Sequence, residues 1–186
     1  AIAVSTNVDS SINIEPNASL TVGGNFSISG GFNFGSVHYH TFRNTGTVEI
    51  LGNFVGGDYV KYYSENDHAT TSVRGNFSQT IFSGNLTAGI LEIGGDCAAC
   101  FKASGTHKTI INGTKPQNIK GFTAKDLELR NTSAEGITFT GSTTVTGEIS
   151  SNETPIVSGQ NLCLNGGTTA GGVYNGSIDL AGNVEI

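Results

Sequence analysis

Residues 103–122 bring hydroxyls, a histidine and a lysine together, as nucleophilic sites do, and read ASGTHKTIINGTKPQNIKGF. Nucleophilic catalysis requires a nucleophile, a general base and a third group that orients the base. His107 and Lys108 have no orienting carboxylate near them in the sequence, so the hydroxyls of Thr106 and Thr109 are expected to serve local backbone hydrogen bonds. We therefore predict no enzymatic activity and no cofactor.

The three cysteines could do other chemistry. Cys97 and Cys100 form a C-x-x-C pair, and Cys163 lies far downstream. A thioredoxin-like redox role needs a βαβ setting, and a zinc site from the three cysteines plus His107 would have unusual spacing. We favour either a structural disulfide or buried thiols. A disulfide would leave one of the three thiols unpaired.

Three histidines and several acids between residues 38 and 68 raise the question of a metal site. His38 and His40 share one face of a predicted strand, and His68 follows His40 by 28 residues, a step that also occurs in the repeat described below. Imidazoles on neighbouring strands can share an ion, with Asp67 nearby as a further ligand. The alternative is a stack of two neutral imidazoles on adjacent coils.

Nine of the fifteen aromatic residues fall between residues 26 and 63. Tyr62 and Tyr63 are adjacent, so they point to opposite faces of a strand and at least one should be exposed. Together with Tyr59 and Asp58, they could form a platform on which sugar rings stack. The alternative is that most of these rings fill a core.

The elements that must position these residues come from an internal repeat. Apolar residues alternate with polar ones and are followed by Gly and an Asn-like residue, a pattern typical of strands with one buried face. The copies are SLTVGGNFSI (19–28), TVEILGNFV (47–55), SVRGNFS (72–78), LEIGGDC (91–97), ITFTGSTTV (137–145) and IDLAGNVEI (178–186). No segment has the 3.6-residue spacing of a helix.

The shared glycines predict the architecture. They lie at residues 24, 52, 75, 95, 113, 141, 166 and 182. Their average spacing of roughly 23 residues suits one coil of a β-solenoid and is too short for a propeller blade. We predict an all-β, parallel β-solenoid of seven or eight coils, right-handed by the crossover rule, that occupies residues 1–186 as a single domain.

The Gly-Asn step has a physical explanation in such a stack. Gly permits a bend at the corner, and Asn can hydrogen-bond its counterpart one coil away. The predicted ladder contains Asn25, Asn53, Asn76 and Asn183.

Residues 101–150 resemble a repeat of long bacterial secreted and cell-surface proteins of the adhesin type. The matching features are Gly105-Thr106, Ile110-Ile111, Asn112-Gly113, Gln117-Asn118-Ile119, Phe122, Leu127, Leu129, Asn131, Gly136-Ile137 and Val145. The resemblance covers about a quarter of the chain and concerns scaffold residues, and it implies a β-solenoid, secretion and surface display.

Charge and hydropathy limit the partners. The net charge of −6 argues against binding along a nucleic-acid backbone, and no apolar run is long enough to insert into a membrane. Six of the nine basic residues fall within residues 102–130. We expect an extracellular structural or adhesive solenoid, with a carbohydrate-binding or polysaccharide-active β-helix using residues 26–68 as the alternative.

The chain has no Met and shows strand-like sequences at both ends. Uncapped solenoid ends tend to stack, so the expected partner is the chain itself, joined head to tail or by donation of the strand in residues 1–10. A fragment of a larger surface adhesin is the competing explanation.

Overall fold

The computed structural model describes residues 2–5, 9–33, 36–79, 83–99, 101–151, 156–158, 162–168, 174–175 and 178–185, with side chains for residues 9–30, 37–79, 85–99 and 101–151. All regular elements in these residues are strands, and none of the described residues forms a helix that could span a membrane. The chain is a parallel β-solenoid, as the sequence predicts.

Three faces of parallel strands follow one another along the chain. The first face contains β1 (Ile2–Ser5), β4 (Phe26–Ser29), β9 (Phe54–Gly56), β12 (Phe77–Gln79), β16 (Gln117–Ile119), β19 (Ile137–Phe139), β22 (Ile156–Ser158) and β24 (Tyr174–Asn175). The second contains β2 (Ser10–Ile14), β7 (His40–Asn44), β10 (Val60–Ser64), β13 (Ser83–Leu86), β17 (Thr123–Ala124), β20 (Thr143–Val145), β23 (Leu162–Thr168) and β25 (Ile178–Glu185). The third contains β3 (Ser19–Val22), β8 (Thr47–Ile50), β11 (Thr70–Val73), β14 (Ile90–Ile93), β15 (Lys108–Ile111), β18 (Asp126–Leu129) and β21 (Ile149–Ser151).

Period-two alternation buries one side of each strand. In β10 the residues alternate between buried and half-buried, and β7 shows the same pattern. The buried side chains form a hydrophobic cluster that extends from Val22 to Ile149. Because the strands are in register, each core residue lies on the equivalent residue of the next coil, as in Phe26, Phe54 and Phe77.

The solenoid has about five turns, slightly fewer than the seven or eight predicted. Seven strands are described on the third face, whereas in the turn after β14 the first and second faces have only isolated bridges, at Cys97 and Ala103. Counting one glycine per coil was wrong. Gly113 follows a strand of the third face, whereas Gly141 follows β19 of the first face.

An antiparallel hairpin interrupts the corner between the first and second faces. It consists of β5 (Gly31–Asn33) and β6 (Ser36–His38). This insertion lengthens its own coil, so that β3 and β8 are separated by 28 residues in register, whereas β7 and β10 are separated by 20. The hairpin therefore changes which residues of neighbouring coils meet.

Candidate functional site

Side-chain oxygens form a hydrogen-bonded column along the corner between the third and first faces. The Oδ1 of Asn25 accepts the backbone N–H of Asn53 at 2.9 Å, and the Oδ1 of Asn53 accepts that of Asn76 at 2.8 Å. The Oδ1 of Asn76 accepts the N–H of Asp96 at 2.9 Å, and Asp96 accepts that of Asn118 at 2.8 Å. Each side chain thus satisfies a backbone donor in the next coil, rather than its counterpart side chain.

This column includes a residue that the predicted ladder omitted. Asp96 occupies the Asn position in LEIGGDC, a copy of the repeat, and its carboxylate serves the same purpose as an amide oxygen. The side chain of Asn183 lies outside the described residues.

Close approach, not a bend, explains the glycines that precede Asn53 and Asn76. A Cβ on Gly52 would overlap the Oδ1 of Asn25, and a Cβ on Gly75 would overlap the Oδ1 of Asn53. Neither glycine has a positive φ. The repeat requires Gly because the amide of the preceding coil occupies the space where a side chain would begin.

Stacked aromatic rings lie in the core directly beneath the column. The ring centroids of Phe26 and Phe54 are 5.6 Å apart, and those of Phe54 and Phe77 are 4.8 Å apart with an interplanar angle of 15°. Such offset pairs add to the free energy gained by burial. The polar column outside and the aromatic column inside hold neighbouring coils in register.

Tyr62 belongs to this core, which removes it from the predicted glycan platform. Its side chain is 0% exposed, and its hydroxyl donates a hydrogen bond to the Oγ1 of Thr71 at 2.7 Å. Burial raises the pKa of the Tyr62 hydroxyl well above its ordinary value, and the Thr71 hydrogen bond only partly opposes this. Alternation within β10 selects Tyr63 as the outward residue of the pair.

The outward side of the second face carries Tyr63 together with two basic residues. Arg43 lies beside Tyr63 in register, and its guanidinium is 4.7 Å from the centre of the Tyr63 ring. Arg43 also pairs with Glu65. Lys61, two residues before Tyr63, places its Nζ 4.0 Å from the centre of the Tyr39 ring. These contacts hold the rings on the surface through cation–π attraction.

Tyr39 and Tyr59 meet at the corner where the hairpin enters. Their ring centroids are 6.0 Å apart at an interplanar angle of 85°, and Tyr39 is 38% exposed. Tyr59 has a φ of 59°, which is the left-handed region that bulky residues rarely adopt. Gly30 makes room for this residue, since a Cβ on Gly30 would lie 2.6 Å from the Cβ of Tyr59. Asp58 is exposed beside it.

A shallow depression of about 310 Å³ adjoins these rings. It is lined by Asp9, Ser10, Ser11, Tyr39, Thr41 and Lys61. We call Tyr39, Tyr59, Lys61, Tyr63 and Arg43, with this depression, the tyrosine surface. Of its five defining residues the sequence pointed to Tyr59 and Tyr63. The period-two pattern of VKYYS could have indicated Lys61, which shares the outward side of β10 with Tyr63.

The predicted stacking of His40 on His68 is wrong. His40 is buried in β7, where Ser10 and Val60 are its register neighbours, whereas His68 lies in the turn before β11. The 28-residue step applies to the coil that contains the hairpin, not to the coil that follows it.

The other candidate ligands are also dispersed. The Nδ1 of His38 lies 3.7 Å from a carboxylate oxygen of Asp9, and a carboxylate oxygen of Asp67 accepts the Thr106 hydroxyl at 2.5 Å. In the described residues no three His, Cys, Asp or Glu side chains are placed to hold a metal ion.

Cys97 is a core residue of the first face. It is 1% exposed, and its backbone forms isolated β-bridges with Phe77 and Ile119 of the neighbouring coils. Cys100 and the side chain of Cys163 lie outside the described residues, so the cysteine pairing stays a prediction. His107, the fourth ligand of the zinc alternative, lies at a different corner, beside the carbonyl of Ala88.

His107 and Lys108 occupy the start of a strand. The Nδ1 of His107 donates to the carbonyl oxygen of Ala88 at 2.9 Å, and its Nε2 is buried without a hydrogen-bond partner. Burial lowers the pKa of His107 below its ordinary value. The Nζ of Lys108 points outward to Glu128 at 3.5 Å. The two side chains therefore face opposite sides of the coil wall and do not form a joint site.

Glu128 joins this outward charge cluster on the third face. Burial raises the pKa of Glu128, but Arg130 and Lys108 outweigh that effect and hold the pKa below its ordinary value. The cluster is a set of paired surface charges, typical of a solvated sheet face.

Comparison with known proteins gives no match to a family model, a curated protein or a solved structure. The tyrosine surface is therefore interpreted from its own geometry.

Proposed function

We propose that this chain is an extracellular structural and adhesive β-solenoid whose tyrosine surface binds glycans. The observation that carries the proposal is the pair of rings of Tyr39 and Tyr59, which meet edge to face at an exposed corner. The backbone of Tyr59 itself lies in the left-handed region. A strained residue persists where the surrounding structure enforces it, and such positions concentrate at functional sites.

The chemistry of the surface suits a sugar. An exposed tyrosine presents an apolar ring face and a polar hydroxyl, which match the C–H face and the hydroxyls of a pyranose. Ser11 and Thr41 supply hydroxyls at the adjacent depression, and Lys61 supplies a charged donor. A few polar groups around an aromatic wall are what orients a small ligand.

The proposal assigns no catalysis to this surface. Glycoside hydrolysis generally uses two carboxyl groups that flank the scissile bond. Here the Oδ1 of Asp9 accepts the backbone N–H of Tyr39 at 2.7 Å, and Glu65 pairs with Arg43. Both acids thus support the surface itself. Incubation with labelled oligosaccharides tests the polysaccharide-active alternative, since products of cleavage would contradict the proposal.

A glycan array with Tyr59→Gly tests the binding function. Glycine relieves the left-handed strain, so thermal stability should be unchanged or slightly higher, while binding should fall because the Tyr39 ring loses its edge partner. The double variant Tyr39→Ala plus Tyr63→Ala should abolish binding with an unchanged circular dichroism spectrum.

The matched control is Tyr62→Phe. It removes a buried hydroxyl, so it should cost about 1 kcal/mol of unfolding free energy and leave glycan binding intact. The absence of binding by the parent chain to any glycan would end the proposal, and so would equal binding by the parent and the Tyr39→Ala plus Tyr63→Ala variant.

Surface display and self-association remain part of the proposal. Protease treatment of intact cells tests display, and light scattering over a concentration series tests association of the chain with itself.

A further inference from the structure

A second polar groove lies at the corner between the first and second faces, in the middle of the stack. It has a volume of about 340 Å³ and is lined by Lys102, Lys120, Thr123, Ser142 and Thr144 over a floor of Phe101, Gly121 and Phe122. We call it the lysine groove. Its near edge, at Lys102, lies two coils from the tyrosine surface, and it does not depend on the proposed function.

The two lysines of the groove differ from most of the neighbouring bases. Lys108, Lys125 and Arg130 each lie within ion-pair distance of a carboxylate. Lys102 and Lys120 are both exposed, and in the described residues neither forms an ion pair. None of the described residues that line the groove carries a carboxylate. This corner is therefore locally positive on a chain whose net charge is −6.

The groove follows the solenoid axis. Lys102 forms an isolated β-bridge with Thr123, and Thr123 is in register with Thr144. These three residues therefore form a column along successive coils. Strands in a sheet are spaced by about 4.8 Å, which sets the step of the column. A linear polymer can thus contact one charged and two hydroxyl side chains in sequence.

The floor of the groove is tightly packed. The rings of Phe101 and Phe122 stack behind it with centroids 4.4 Å apart at 15°, and both are buried. Gly121 has a φ of 108°, and a Cβ there would overlap the carbonyl oxygen of Ser142. The floor therefore needs no rearrangement when a ligand binds.

We propose that the lysine groove binds an anionic polysaccharide that carries carboxylate or sulfate groups. The ammonium groups act as point charges for the anions, and the threonine and serine hydroxyls match the polymer's own hydroxyls. Single-stranded DNA, which carries its negative charge on phosphates, is therefore tested beside the polysaccharides as the competing polyanion.

The test measures binding of heparin, polygalacturonate, neutral dextran and single-stranded DNA to the full chain by biolayer interferometry at low and high salt. Heparin or polygalacturonate should bind, more weakly as salt rises, and dextran should not. Lys102→Gln plus Lys120→Gln should weaken binding about tenfold. The control, Lys108→Gln plus Lys125→Gln, makes the same charge change outside the groove and should have little effect.

Different outcomes separate the sources of binding. Preference for heparin assigns the site to sulfates, and preference for polygalacturonate assigns it to carboxylates. Equal losses in the groove and control variants would overturn the proposal, because binding would then follow net charge alone. Binding of DNA without either polysaccharide, or no binding at low salt, would also overturn it. Tyr59→Gly should leave this affinity unchanged, which keeps the test separate from that of the tyrosine surface.

Discussion

The polar column predicts the effect of removing a single side-chain acceptor. In Asn53→Ala the backbone N–H of residue 53 still donates to Asn25, but the N–H of Asn76 loses its acceptor at 2.8 Å. The variant therefore lacks one hydrogen bond and keeps its Cβ. A hydrogen bond of this type contributes about 1 kcal/mol net, and water can reach the half-buried corner to replace part of it. We expect a loss of about 1 kcal/mol in unfolding free energy.

The assay is thermal and urea unfolding followed by circular dichroism. For a chain of this length, about 1 kcal/mol corresponds to a decrease in Tm of about 2–4 °C. Hydrogen exchange provides a local measurement, because the Asn76 amide should exchange faster in the variant while amides of distant coils do not.

Two controls make the result decisive. Asn118→Ala changes the last residue of the column, whose exposed side chain accepts no hydrogen bond from the described residues, and should be close to neutral. Asn53→Asp should retain most of the stability, since Asp96 already fills the equivalent position in another coil. Equal melting temperatures for Asn53→Ala and Asn118→Ala would refute a stabilising column.

Two further predictions concern packing and pH. Gly75→Ala should lower the unfolding free energy by about 1–3 kcal/mol, because its Cβ would overlap the Oδ1 of Asn53. The loss in the double variant Asn53→Ala plus Gly75→Ala should be smaller than the sum of the two single losses. Additive losses in denaturant unfolding would contradict this contact. Burial lowers the pKa of His107 in the folded chain, so as the pH falls the unfolded chain takes up this proton before the folded chain does. The stability that depends on neutral His107 should therefore be fully present above pH 6.5, the ordinary pKa of histidine, and should be lost as the pH falls below 6.5. His107→Gln should flatten that part of the curve of Tm against pH, and an unaltered curve would exclude His107 as the cause.

The repeat by itself determined the fold class. Alternating apolar residues and a Gly-Asn step that recurs in SLTVGGNFSI and TVEILGNFV predict parallel stacked strands, because a strand pattern that returns about every 23 residues, with no helical segment between copies, matches one coil of a solenoid. The same step located three members of the polar column, since equal positions in a repeat occupy equal positions in a stack. The local sequence pattern was enough to predict an interaction wherever that interaction recurs once per coil.

Only the tertiary structure decided what lies between coils of unequal length. The hairpin at Gly31–His38 lengthens one turn, so His40 meets Val60 and His68 lies in another turn. It also brings Tyr39 to the corner where Tyr59 adopts a positive φ, a contact across 20 residues that depends on backbone geometry. Alternation predicts that Tyr62 and Tyr63 face opposite sides, but which side is the core depends on the register with the neighbouring strands. Burial and close approach are properties of the stacked coils, and the order of residues alone does not specify them.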